Sequence, residues 1–285
     1  MGNLIKAELY RVFKDKLFLI LCIIAGAMSL FLALMYFGLG SLLIEDGVTI
    51  REVFSAASLA LSSFSPFSNF GLVVAIFLCI LLGKDYTQGT VRNKIIMGKS
   101  RAEIFFSNLI VTVIIIMIVV VGFAILNFAI SSIFFNTGIT TDNIVSFLSQ
   151  FALQILGWLV LATAIAFYSA AMKNAGVTIV TYIGIGLFLT IVGPVIAGVA
   201  GVVTSPDGGY ENLKWLFDLI TNINIPFIMG SLLTGNASLV SMLGDTSVVS
   251  ELPVEFYCEY IGSCVAFATL FVGLGYLAFN KKDIK

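Results

Sequence analysis

The sequence predicts an all-α membrane protein of six spans, and three observations carry that prediction. Of the 285 residues, 59% are hydrophobic and 11% charged, against about 45–50% and about 25% in soluble domains; the mean hydropathy is +1.08. Six apolar runs recur along the chain, each near the roughly 20 residues that cross a bilayer as a helix. Thirteen of the fifteen Lys and Arg residues fall in 1–16, 84–103, 173–174 and 280–285. Only Arg51 and Lys214 lie in the connections between, so the positive-inside rule places both termini and the 84–103 loop in the cytoplasm. Eleven of the sixteen acidic residues take the opposite side, so the net charge of −1 hides a polarised molecule and gives nucleic-acid binding no support.

Residues 1–16 read as an amphipathic helix on the bilayer surface. Ile5, Leu9, Val12 and Phe13 share one side. Glu8, Arg11, Lys14 and Asp15 share the other, with Glu8–Arg11 and Arg11–Asp15 at pairing distance. This charged stretch is too long for a cleaved leader, and the run after it has full spanning length. Spans are expected at about 17–37, 64–83, 104–130, 147–172, 175–203 and 260–279. The second opens on Ser-Phe-Ser-Pro-Phe-Ser-Asn (Ser63–Asn69), whose outer end is expected to unwind. The fifth carries Gly193-Pro194, where a missing N–H is expected to kink or end the helix. Residues 204–259 are expected outside, with short interfacial helices around Leu213, Trp215, Leu216, Leu219 and Ile220 and at Ile225–Met229. The whole chain, 1–285, reads as a single transmembrane domain.

The interior is poor in reactive chemistry. The absence of histidine removes Ser-His-Asp hydrolysis and His-liganded metals or haem. Cys22, Cys79, Cys258 and Cys264 form no CxxC pair and read as buried bulk. No charge falls at hydrocarbon depth, which argues against a pump driven by protons or sodium. Asn127, Gln154, Thr163, Ser169, Thr178, Thr181, Tyr182 and Thr190 read mainly as interhelical hydrogen bonds. Gly193, Ala197, Gly201, Gly273 and Gly275 read as close-packing positions. No catalytic residue, metal ligand or cofactor is expected in this chain.

The richest polar stretch is 84–103. Thr90 is placed to cap a short helix over Val91–Met97, with Val91, Ile95 and Ile96 as its apolar edge and Arg92, Asn93 and Lys94 facing out. Gly98 is placed to end that helix in the left-handed conformation. Ser100-Arg-Ala-Glu103 is a capping box that starts the next helix. Gly98-Lys99-Ser100 is no phosphate-binding loop, because Asn93 stands where that motif needs glycine and no strand precedes it. The loop therefore reads as a small, rigid, basic helix between two spans, able to transmit force from a docked partner.

Asp85, Gln88-Gly89-Thr90-Val91-Arg92 and Gly98-Lys99-Ser100-Arg101 before a long apolar run resemble the cytoplasmic loop of ABC transporter permeases of the type-2 exporter class. About 17 residues carry the motif; the surface helix, six spans and long outer segment extend the resemblance over the chain as architecture. Within the class it is most similar to bacitracin-resistance, lantibiotic-immunity and peptide-export permeases. The resemblance implies a bacterial plasma-membrane exporter of two permease chains, identical or related, above two cytoplasmic ATPase chains that hold the ATP and magnesium. Gly89, Thr90, Val91, Arg92, Asn93, Lys94, Lys99, Ser100 and Arg101 would then be the coupling residues. The second and fifth spans would line the path, making Phe67, Asn69, Phe70, Thr178, Thr181, Tyr182 and Phe188 its candidate residues. Aromatics and hydroxyls in such a path suit an amphipathic peptide or lipid-like substrate. The rival readings are an ATP-independent scaffold or immunity protein and, with little chemistry to support it, a membrane enzyme.

Overall fold

The computed structural model describes residues 1–43, 55–66, 68–141, 143–172, 174–203, 216 and 254–281. These are helical almost throughout. In chain order the helices are α1 (Gly2–Lys14), α2 (Lys16–Leu43), α3 (Ala56–Phe64), α4 (Asn69–Thr87), α5 (Thr90–Ile96), α6 (Arg101–Phe134), α7 (Ile144–Met172), α8 (Ala175–Val203) and α9 (Val254–Lys281). Among the described residues, five stretches are long and apolar enough to cross a membrane: Lys16–Gly38, Ala56–Thr87, Arg101–Phe134, Ile144–Met172 and Tyr257–Lys281. α8 adds the apolar stretch Ala175–Phe188. These are the apolar helices of a multi-pass membrane protein. α4, α6 and α7 form the centre, with α2 against α6, α8 against α4, and α9 along α7. The peripheral helices turn Leu19, Phe31, Val180, Phe188, Val265 and Leu270 outward, the apolar exterior that lipid demands.

Two sequence expectations about the spans need correction. The Ser63–Asn69 stretch does interrupt the helix, as expected, but the second span does not begin there. It is a broken helix, with α3 occupying part of what reads as an outer loop and the break falling between Phe64 and Asn69. Pro66 supplies no N–H and disfavours helical backbone at Ser65, which is extended at φ −59°, ψ 139°. Gly71 is required just past the break, since a Cβ there would run into the Pro66 carbonyl. In contrast, α8 runs helically through Gly193-Pro194 to Val203, so this proline does not end its helix. The interfacial helices expected across 204–253 lie outside the described residues, apart from Leu216.

Both ends of α3 are tied down without charge. Ala56 and Ala57 N–H groups donate to the Asn136 and Thr137 carbonyls at 2.8 and 3.1 Å, and the Ser55 hydroxyl accepts from Ser58 N–H. At the break, Gln154 Nε2 donates to the Leu61 carbonyl at 2.9 Å and Trp158 Nε1 to the Phe64 carbonyl at 2.8 Å. These carbonyls belong to the last turn of α3, where no helical donor remains. Buried in apolar surroundings they need such partners, and α7 supplies them. Phe70 stacks on Phe123 at 3.6 Å and Phe64 on Phe151 at 4.4 Å, closing the core around Trp158.

Gln154 is thus an interhelical bond as expected. Thr163 and Thr178 are not: their hydroxyls donate back to Val160 and Asn174 carbonyls of their own chain segments, the habit of threonine in an apolar helix. Asn127 likewise takes its bond from Ser131 on the same helix. Gly275 is a close-packing position, since a Cβ there would meet the Phe105 ring at 2.9 Å, whereas Gly273 faces open space. Cys79 and Cys264 are buried, but Cys22 and Cys258 are exposed, in part against the reading of four buried thiols.

Candidate functional site

The segments rich in Lys and Arg meet at one end of the bundle. α1 and α2 turn at Asp15, whose carboxylate caps α2 by accepting from Leu17 N–H at 3.1 Å. Lys84, near the end of α4, reaches the same carboxylate at 3.0 Å. Arg101 donates to the Asn280 carbonyl at 2.7 Å, bringing the end of α9 onto the start of α6. Below them Tyr86, Phe105, Tyr276 and Phe279 pack edge to face and tilted.

α5 sits at the middle of this end. Gly89, left-handed at φ 69°, is its N-cap, and Thr90 is its first residue; the Thr90 hydroxyl donates to the Asp85 carbonyl at 2.8 Å. This corrects the expectation that Thr90 caps the helix. Gly98 ends it as expected: at φ 82° its N–H reaches the Ile95 carbonyl at 2.9 Å, while Lys99 N–H reaches Lys94 at 3.2 Å. Those two bonds are the Schellman pair. Two residues on, both halves of the capping box are present, Glu103 N–H to Ser100 Oγ at 3.2 Å and Ser100 N–H to Glu103 Oε2 at 3.3 Å. A helix of seven residues has little stability of its own, and these caps fix it to α4 and α6.

The two faces of α5 differ from the sequence expectation in one respect that matters. Val91 is buried and Ile95 half-buried, as expected, but Lys94 is only 4% exposed. Its ammonium lies 2.7 Å from Glu8 Oε1 and 3.6 Å from Asp85 Oδ2, and donates to Asn108 Oδ1 at 3.3 Å. Arg11 closes the cluster, contacting Glu8 at 2.7 Å and Asp85. Glu8 and Asp85 are 7% and 2% exposed. Two buried carboxylates, the buried Lys94 and the partly exposed Arg11 therefore neutralise each other and, with Asn108, join α1, α4, α5 and α6. Lys94 does not face out because two buried carboxylates require it.

Glu8 is also turned inward, contrary to its assignment to the polar side of α1. The signal was present. Ile5, Glu8, Leu9 and Val12 hold the i, i+3, i+4, i+7 slots of one stripe, and Lys94 falls in the i+3 slot after Val91. Opposite charges in the apolar slots of two helices pointed to each other, but a charge is read as solvent-facing by default. The outward face of α5 comprises Arg92 and Asn93 with Ile96 and Met97, the last two 73% and 71% exposed. Ile96 was expected on the inner edge; with Lys94 taking the inner slot it projects outward. Lys99 is half-buried, Ser100 exposed, and Arg101 half-buried.

The proposed path residues scatter. Asn69 and Phe188 are exposed, and Thr181 and Tyr182 are half-buried. Phe70 and Thr178 are core residues within the single chain, Phe70 through its stack on Phe123 and Thr178 through its bond to Asn174; neither lines a surface. Phe67 lies outside the described residues. Among the described residues no three His, Cys, Asp or Glu side chains are grouped to hold a metal ion.

The family model described as "Protein of unknown function (DUF2705)" matches residues 18–285. The chain belongs to this family. No curated protein matches it. The matched range of this DUF2705 chain starts inside α2, and so takes in Asp85, Lys94 and the whole of α5 while leaving Glu8 and Arg11 before it.

Proposed function

We propose that this DUF2705 chain is the membrane-spanning subunit of an ATP-driven exporter of the ABC type, moving an amphipathic or hydrophobic substrate outward across a bacterial plasma membrane. The observation that supports it best is α5: a short helix between two spans, started at left-handed Gly89, closed at Gly98 and braced from behind by an ion cluster. Its outward face combines Arg92 and Asn93 with exposed Ile96 and Met97. Large apolar side chains held in water beside a basic residue suit a protein partner. In this reading α5 is the coupling helix, seated in a cleft of a separate cytoplasmic ATPase that carries the ATP, the magnesium and the hydrolysis. Two ATPase chains and a second permease chain, identical or related, complete the complex. All six apolar stretches cross the membrane, α3 and α4 together as the second and α8 as the fifth, with both termini cytoplasmic. A peptide, antimicrobial or other, or a lipid-like compound is the substrate class.

The sequence resemblance in 84–103 points the same way, with one revision: Lys94 belongs to the brace and not to the docking face. Affinity purification of the full chain from its native membrane tests the reading. An ATPase is expected to accompany the wild type and to be lost on Arg92→Glu or Ile96→Glu while the chain stays folded. Absence of any ATPase from the folded wild-type chain would overturn it in favour of an ATP-independent scaffold.

A further inference from the structure

An open groove of about 420 Å³ lies where α1 turns into α2 beside the end of α4. That volume is in the range of small-molecule sites, about 300–1,000 Å³. Arg11, Lys14 and Lys84 line it, with Asp15 as its one carboxylate, and Tyr10, Val12, Leu81 and Gln88 complete the wall. Arg11 and Lys84 are matched by Glu8, Asp85 and Asp15. Lys14 has no carboxylate within ion-pair distance among the described residues; its ammonium lies 4.6 Å from the centre of the Tyr10 ring. The groove thus keeps one uncompensated, exposed cation flanked by two more positive side chains.

Its depth matters as much as its charge. Lys16 opens the apolar stretch of α2, and Lys84 stands one turn from the end of α4. Charges at the ends of spans lie at headgroup level, so the groove lies in the phosphate layer of its leaflet. α2 leaves it with Leu19, Ile20 and Ile23 exposed, an apolar surface for acyl chains.

We infer that this groove is a binding site for the phosphate headgroup of an anionic phospholipid. The site goes beyond the transport reading and depends only on the chain spanning a membrane. Basic pockets between helices at a membrane surface bind acidic headgroups, with each Lys or Arg contributing about 1 kcal/mol, or roughly fivefold in affinity.

Native mass spectrometry of the full chain, released from nanodiscs of phosphatidylcholine and phosphatidylglycerol at three to one, tests this. The wild type is expected to retain phosphatidylglycerol, and Lys14→Gln and Lys14→Glu to retain it about fivefold less or weaker still. Lys6→Glu, the same charge loss on α1 outside the groove, is expected to retain it as the wild type does. The Lys14 variants should melt with the Lys6 variant, since Lys14 makes no ion pair among the described residues. Equal retention in the wild type and all variants, or equal loss in the Lys6 and Lys14 variants, would overturn the site. Displacement of the lipid by millimolar inorganic phosphate would mark a soluble-anion site instead and overturn the lipid assignment.

Discussion

The break between α3 and α4 and the base beneath α5 solve one problem in two ways. Each buries polar groups that a neighbouring helix must satisfy. At the break the groups are neutral carbonyls, answered by one amide and one indole from α7. At the base they are full charges, two carboxylates and two cations drawn from three helices. The two repairs differ in what a stranded group would cost. A neutral bond survives in hydrocarbon at small cost, whereas a charge is tolerated only near the interface, where its partners and water lie within reach. The break is accordingly a local repair, while the base is a joint whose parts depend on one another.

The comparison is broken most severely at Lys94. Lys94→Met leaves Glu8 and Asp85 with Arg11 alone, and loss of about 3–5 kcal/mol is expected, read as a large drop in thermal stability in detergent. Adding Glu8→Gln should recover part of that loss, because it removes one of the stranded carboxylates; no recovery would refute the joint. Next come Trp158→Phe and Gln154→Leu, each of which strands one α3 carbonyl for about 1–3 kcal/mol. Being far from the base, each should add to the Lys94 loss within about 0.5 kcal/mol. Departure from additivity would mean that the two regions communicate through the protein.

Arg92→Glu sharpens the contrast, since it lies two residues from Lys94 on the exposed face. Its stability should stay within about 0.5 kcal/mol of wild type while the proposed partner is lost. A melting temperature that fell as far as for Lys94→Met would show that Arg92, too, is structural. The smallest effect is expected at Asp15. Burial alone would raise its pKa, but the Leu17 N–H and the Lys84 ammonium, with Arg11 farther off, outweigh that and hold it below the ordinary 3.8. The stabilisation is present above the ordinary carboxylate range and is lost as pH falls through the lowered value. Solvent around this half-exposed pair limits it to about 0.2–1 kcal/mol. Acid titration of the melting temperature should therefore flatten slightly in Asp15→Asn; an unchanged profile would show that the Asp15–Lys84 pair adds no stability.

What the sequence made legible follows the same division. Long apolar periods located α2, α6, α7, α8 and α9 to within a few residues at most ends, and capping chemistry located Gly98 and the Ser100–Glu103 box. Both rest on local rules. The face that α5 presents does not, because seven residues give too little periodicity to outweigh the habit of turning charges outward. Glu8 and Lys94 become intelligible only as a pair brought together by the fold. The broken span shows the same limit. Pro66 announced an interruption, but the helical residues before it need an acceptor from Asn136 and donors from Gln154 and Trp158, which come from elsewhere in the chain. Gly193-Pro194 carried a similar warning and produced no end to α8.

The ion cluster also imposes an order on biosynthesis. Glu8 and Arg11 leave the ribosome first, and Asp85 and Lys94 follow only after α2, α3 and α4 have been made. Until Asp85 is made, Glu8 and Arg11 have only each other within the cluster. The emergence of Lys94 therefore completes the capture of α1 that Asp85 begins. A nascent chain arrested just before that residue should leave α1 open to protease, and one arrested after α6 has emerged should protect it.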